Sequence, residues 1–138
     1  MMSKLYSVVA VLAVCVCLVT AVAADEATDA YKKLMQPAAA ANVNLQKVVQ
    51  TDLAAAAQSA SDVQANFAKI EAFWSAKGTS DAVGFAKAIQ ASAKDAHDAA
   101  AAGNKDAAVA AAQKIGASCG SCHMAHRNRL PDGTFELK

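Results

Sequence analysis

The spacing of apolar side chains along the chain is helical from about residue 25 onward. Apolar residues recur every three or four positions, which is the period of one face of an α-helix. Four such runs cover residues 31–48, 53–74, 82–100 and 109–122, and none alternates apolar and polar residues as a half-buried strand does. The pattern therefore predicts an all-α chain with four helices.

Short polar segments separate the four runs and carry residues that begin or end helices. Asp52 is suited to cap the start of the second helix, and residues 79–81 and 104–106 offer caps for the third and fourth. Gly78 and Gly103 are suited to end the second and third helices. Because the turns are so short, consecutive helices must run antiparallel. We predict an up-down-up-down four-helix bundle.

Two prolines modify this picture. Pro37 lies inside the first run, where its missing N–H predicts a kink or a restart of the helix near residue 36. Pro131 and Gly133 follow the fourth run and predict a non-helical tail over residues 130–138. The bundle itself is expected to occupy residues 25–129.

The first 24 residues have the composition of an export signal. A basic start is followed by an apolar stretch and then by small residues, which predicts cleavage after Ala23 or Ala24. Cys15 and Cys17 lie in the apolar stretch and leave with it, and the mature chain is expected in the periplasm. The alternative is an uncleaved anchor in contact with the membrane, since the apolar stretch approaches the length of a membrane span.

Composition and charge narrow the function. Apolar residues make up 55% of the chain, and many of them are alanine, which forms helices readily but buries little area. A buried cofactor would supply the missing apolar volume. The net charge of +1, with lysine and arginine scattered along the chain, gives no case for nucleic acid. The chain carries no Ser-His-Asp set, paired-carboxylate cleft or glycine-rich phosphate loop, so we do not expect an enzyme.

The sequence CGSCHMAHR in the last helix carries the candidate chemistry. Its first five residues are the C-x-x-C-H attachment signature of c-type haem. Cys119 and Cys122 lie three residues apart on one helix face, where both can form thioethers with the two haem vinyl groups. His123 follows directly and can bind the iron from the same side. We predict one covalent haem c per chain.

Three alternatives use the same residues without haem. A zinc site could use Cys119, Cys122 and His126, but a fourth ligand at normal spacing is missing. A redox disulfide of this spacing expects a preceding strand and a βαβ context. A structural disulfide between residues three apart closes too small a loop to stabilise much. A haem-free zinc or disulfide helical bundle is the alternative class of protein.

The motif near the end of an exported four-helix chain resembles the class II cytochrome c family, of the cytochrome c′ and c-556 type. In that family a basic residue stands four positions after the haem histidine, and Arg127 matches it. His126 stands where the family usually has an aromatic residue. The resemblance covers residues 25–129 and implies a cytochrome that passes single electrons between redox partner proteins. The alternative within the family is a high-spin protein that binds NO or CO.

The resemblance also implies that the first helix covers the second face of the haem. A methionine there gives low-spin electron carriers, and Met35 lies in that region, whereas Met124 lies beside His123 on the same helix. Arg127 is expected along the His123 imidazole or a haem propionate. His126 is expected at the haem edge or in solvent. The remaining expectations are an exposed His97 and, as an alternative to a monomer, a homodimer of two bundles.

Overall fold

The computed structural model describes residues 26–138, and four helices account for most of them. Helix α1 covers residues 26–48, α2 Leu53–Ala76, α3 Ser80–Ala101 and α4 Lys105–His126. The prediction of four helices and an all-α bundle is confirmed. The predicted export signal, with Cys15 and Cys17, lies outside the described residues. Over residues 26–138, no helix combines the length and apolar character needed to cross a membrane.

The helix ends follow the predicted capping residues. The Asp52 carboxylate accepts a hydrogen bond from the N–H of Ala55 at 2.9 Å, and Asn104 caps α4 in the same way. Gly78 and Gly103 follow α2 and α3 with φ of +70° and +75°, the left-handed conformation that lets the chain leave a helix. Thr79 takes the cap position of α3 without a side-chain hydrogen bond to that helix.

Helix α1 runs without interruption through Pro37. The predicted restart near residue 36 is therefore wrong. Pro37 has no N–H, so the carbonyl of Lys33, four residues earlier, lacks its usual helical hydrogen bond. Both residues lie on the exposed side of the helix. Water can hydrate that carbonyl, which is why the helix continues.

The chain after α4 forms a small β-hairpin. Strand β1 (Arg127–Arg129) pairs antiparallel with β2 (Phe135–Leu137), and Arg127 lies opposite Leu137. Gly133, with φ of +85°, and the carboxylate of Asp132, which accepts from the Thr134 N–H at 2.9 Å, shape the turn. The predicted tail is indeed non-helical, but the boundary at residue 129 falls inside the hairpin. Strands of three residues are too short for a periodic signal.

Small side chains dominate the core between the helices. Alanine is the commonest buried residue, and the largest fully buried side chains are Leu45, Val63, Ile70, Ile89 and Ile115. Small residues on facing helices allow the backbones to approach closely. The four predicted runs supply this core, with α1 contributing Leu45 at 0% exposure.

Side-chain hydrogen bonds fix α1 against two other helices. The Asn44 amide donates to the hydroxyl of Ser59 on α2 at 2.7 Å, and Ser59 in turn donates to the Ala55 carbonyl at 2.8 Å. The Gln46 amide donates to the carbonyl of Ala112 on α4 at 2.9 Å. Helix α1 is thus held between α2 and α4.

We expect Leu45→Ala to lower the free energy of unfolding by about 2–5 kcal/mol, because it leaves a cavity in a close-packed core. Val43→Ala on the same helix is the control: Val43 is 52% exposed, and the expected change is within about 0.5 kcal/mol. Urea denaturation followed by circular dichroism measures both. Equal losses for the two variants would contradict this account of the core.

Candidate functional site

The second half of α4 brings the predicted site residues to an apolar crevice between the helices. Cys119, Cys122 and His123 line it from α4, and Met35 lines it from α1. The remaining lining residues are apolar or aromatic: Tyr31, Phe67, Ile70, Ala82, Phe85, Ala86 and Ile89. The crevice thus brings together two thiols, one imidazole and one thioether in apolar surroundings.

Burial governs the chemistry of the two thiols. Cys122 is buried and Cys119 half-buried, and neither forms a disulfide within residues 26–138. Burial raises the pKa of Cys119, and it raises the pKa of Cys122 to about 11, with smaller contributions from Cys119 and Asp81. Redox-active C-x-x-C motifs have the opposite feature, a lowered thiol pKa. The surroundings therefore disfavour a redox disulfide.

His123 lies half-buried one position beyond the second cysteine. Burial lowers its pKa, and the positive charge of Arg127 lowers it further. The imidazole is therefore neutral at neutral pH, and the neutral form is the one that binds metals. Of the described histidines, His123 is the one that lines the crevice.

His126 points away from this crevice. Its Nε2 lies 2.9 Å from the Asp81 carboxylate at the start of α3, and its ring packs against Trp74 at 5.1 Å between centroids. The side chain is only 14% exposed, so the expectation of a solvent position is wrong. Its packing on Trp74 is what an aromatic residue at this position would do.

The position of His126 also bears on the zinc alternative. That alternative needed Cys119, Cys122 and His126 together. Over the described part of the chain, no three histidine, cysteine or acidic side chains gather as metal ligands would. The pairing of His126 with Asp81 accounts for this, and the geometry gives no support to zinc.

An aromatic cluster adjoins the crevice at Tyr31, and the spacing of residues in the sequence did not predict its contacts. Tyr31 on α1 packs against Phe73 and Trp74 of α2 at 5.3 and 5.2 Å between ring centroids. Burial, assisted by the nearby Cys122, raises the pKa of Tyr31 to about 12, so the phenol stays protonated. The spacing of three between Tyr31 and Leu34 was the only available signal. It indicates burial without identifying the partner.

Arg127 lies against the hairpin. Its guanidinium carbon is 3.6 Å from the centre of the Phe135 ring, a close cation–π contact. The Nε atom is buried and has no hydrogen-bond partner within residues 26–138. Arg127 acts on His123 through its charge, as the lowered pKa of His123 indicates.

His97 does not line the crevice, and it is not simply exposed as expected. It is half-buried, and its Nδ1 lies 3.0 Å from both the Ser61 hydroxyl and the Ala57 carbonyl of α2. The side chain links α3 to α2. This gives His97 a structural role and no access to the crevice.

The crevice contains the chemical groups that a haem would need, but its side chains would have to move to make room for one. The two thiols are the groups that attach a c-type haem covalently, and a neutral imidazole and a thioether are the iron ligands of His/Met cytochromes. The crevice encloses about 10 Å³, close to the roughly 10–15 Å³ that a single water needs and far less than a macrocycle needs. Side chains that fill it, such as Tyr31 and Phe85, would have to move apart for a macrocycle.

Comparison with known proteins identified no related protein. No protein-family model, curated protein or solved structure matches this chain. The resemblance to class II cytochromes c therefore depends on the haem motif, Arg127 and the four-helix pattern.

We expect slow alkylation of Cys122 in the folded full chain purified without attached haem. An ordinary thiol pKa is 9.0 and that of Cys122 is about 11, so its thiolate at pH 8 is roughly 100-fold scarcer. Its higher nucleophilicity offsets part of this, leaving a rate about tenfold lower. Iodoacetamide labelling of the triple variant Cys15→Ser, Cys17→Ser, Cys119→Ser, which keeps Cys122 as its one thiol, measures the rate. The rate should rise with pH up to about 11.

The control for the labelling is the same variant unfolded in urea, where the thiol has its ordinary pKa and full access. A folded-state rate at pH 8 equal to the unfolded one would mean that the thiol is not shielded by burial.

Proposed function

We propose that the protein is a periplasmic monohaem c-type cytochrome that carries single electrons. The observation that carries the proposal is the shared crevice: Cys119, Cys122, His123 and Met35 line it together with apolar side chains. The finer architecture belongs to the same proposal, an up-down-up-down bundle with the haem attached to its last helix. The three-residue turns between α2 and α3 and between α3 and α4 support it.

Each site residue has a separate task. Cys119 and Cys122 would hold the haem through two thioethers, His123 would bind the iron as its neutral imidazole, and Met35 would bind from α1. Bound haem would supply a one-electron couple between ferric and ferrous iron. The apolar lining excludes water from the site. A thioether ligand raises the reduction potential, which suits electron transfer.

Met35 decides between the two functions within the resembled family. A gas-binding protein needs an open iron position, and electron carriers fill that position with a methionine. Met35 lines the crevice, whereas Met124 is 74% exposed. The placement of Met35 favours the electron carrier over the NO- and CO-binding alternative.

The location and partners of the protein follow from the proposal. The predicted export signal would deliver the chain to the periplasm, where c-type haem attachment would follow. Redox proteins are the expected partners, and the exposed Met124 next to His123 offers an apolar contact point near the haem-binding segment.

Covalent attachment is the first test of the proposal. We expect the full-length protein, expressed with haem-attachment machinery, to stain for haem on a denaturing gel. Cys119→Ala or Cys122→Ala should weaken the stain, and the double variant should abolish it, because each thiol forms one thioether. Ser121→Ala, between the two cysteines, is the matched control and should stain fully. Unstained wild-type protein would refute the proposal.

The absorption spectrum tests Met35. We expect the oxidised protein to be low-spin, with a weak sulfur-to-iron band in the far red, and not to bind carbon monoxide readily when reduced. Met35→Leu should remove the band and open the iron to carbon monoxide, because leucine has no donor atom. Met124→Leu should change neither. A high-spin wild-type spectrum with ready carbon monoxide binding would establish the gas-binding alternative instead.

A further inference from the structure

A second pocket lies between the first turns of α1 and the hairpin. It encloses about 260 Å³, and Tyr31 and Met35 line both this pocket and the crevice. Leu137 and Phe135 of β2 complete its apolar wall, and Lys32 and Arg127 are its two basic groups. The hairpin forms one wall of this pocket, and its second strand lies outside the part of the chain that resembles the cytochrome family.

The Arg127 guanidinium is fixed in the pocket but incompletely paired. Its stack on Phe135 at 3.6 Å sets the plane of the group, while the buried Nε–H has no acceptor within residues 26–138. A buried donor without a partner is unfavourable, and native structures pair nearly all such groups. The pocket does not reach this covered nitrogen, but no carboxylate of residues 26–138 pairs with the guanidinium, and an anionic oxygen in the pocket would supply that missing partner.

The acidic side chains near the pocket leave its positive charge largely uncompensated. Glu136 is also at its wall, but strand alternation places its side chain on the other face of the hairpin from Phe135 and Leu137. Its carboxylate accepts a hydrogen bond from Asn128 there at 3.4 Å. Lys32 has two acidic neighbours: Asp29 at 3.5 Å, with both side chains more than half exposed, and Asp132 in the hairpin turn, which interacts with the Lys32 charge. Pairs between exposed charges are weak, and neither carboxylate forms an ion pair with Arg127.

We propose that this pocket binds a small organic monocarboxylate. The carboxylate accepts hydrogen bonds from Arg127 and attraction from Lys32, and the apolar body of the ligand lies against Tyr31, Met35 and Leu137. A planar guanidinium matches the two oxygens of a carboxylate. Pockets for drug-sized ligands span roughly 300–1,000 Å³, so 260 Å³ suits a single ring or a short chain.

The carboxylate has two sources with the same chemistry. One source is a free metabolite. The other is a propionate of the chain's own haem, and this second possibility rests on the proposed function. Because Tyr31 and Met35 separate the pocket from the crevice, a free ligand would also contact the side chain proposed to bind iron. Comparing haem-loaded with haem-free protein distinguishes the sources.

Calorimetric titration with benzoate is the experiment, and benzyl alcohol is the neutral control of the same shape. It uses the full chain in two preparations, with haem attached and without, and circular dichroism first confirms the helical fold of each. We expect benzoate to bind with a Kd of about 1 mM or lower, and benzyl alcohol at least about tenfold more weakly.

Matched variants locate the site. Arg127→Gln should weaken benzoate binding about tenfold or more, because it removes the charged hydrogen-bond partner of the carboxylate. Arg129→Gln, on the same strand but outside the pocket, should change binding less than about twofold. Lys32→Gln should weaken binding by a smaller factor than Arg127→Gln, and Lys33→Gln should have no effect, since Lys33 does not line the pocket.

Each outcome decides the proposal. Binding to both preparations identifies a free carboxylate as the ligand, and binding to the haem-free preparation alone identifies the haem propionate. If only the haem-loaded preparation is folded, its benzoate titration and the Arg127 and Arg129 variants decide alone. No benzoate binding, equal binding of benzyl alcohol, or equal effects at Arg127 and Arg129 would overturn it. Failure of haem attachment would refute the cytochrome function and leave the haem-free titration intact.

Discussion

Close packing of small side chains is the constraint on which the rest of this structure depends. Alanine faces let the four helices approach one another along most of their length, with Leu45, Ile89 and Ile115 as the few large fully buried residues. The aromatic residues gather at one place, around Tyr31 and Trp74. Tyr31 also lines the crevice, so the crevice lies where large side chains replace alanine between the helices.

Much of the architecture follows from local rules that the sequence displays directly. Asp52, Gly78 and Gly103 act within one turn of their own positions, so their effects on helix ends were predictable. The C-x-x-C-H spacing likewise fixes Cys119, Cys122 and His123 on one side of α4. Met35 was linked to them by the resemblance, and the structure places it on the same crevice.

The features that the sequence did not reveal are contacts between distant residues. His126 pairs with Asp81 across 45 positions, and His97 contacts Ser61 across 36, and no spacing rule connects such pairs. The hairpin was missed because each strand has three residues. Arg127 was expected along the His123 imidazole or a haem propionate, and its stacking on Phe135, which its extended backbone permits, was not foreseen.

The two ends of the bundle differ in the sequence separation of the residues that hold them together. Turns of a few residues join consecutive helices, whereas the hairpin meets α1 through a contact between Leu137 and Thr28, 109 positions apart. Closing so long a loop costs more chain entropy than forming a helical pair, so this contact forms late and is the first to be lost. We therefore expect local opening to begin at the end of the bundle that holds the crevice. Local opening there would expose the crevice while the alanine-packed remainder stays folded.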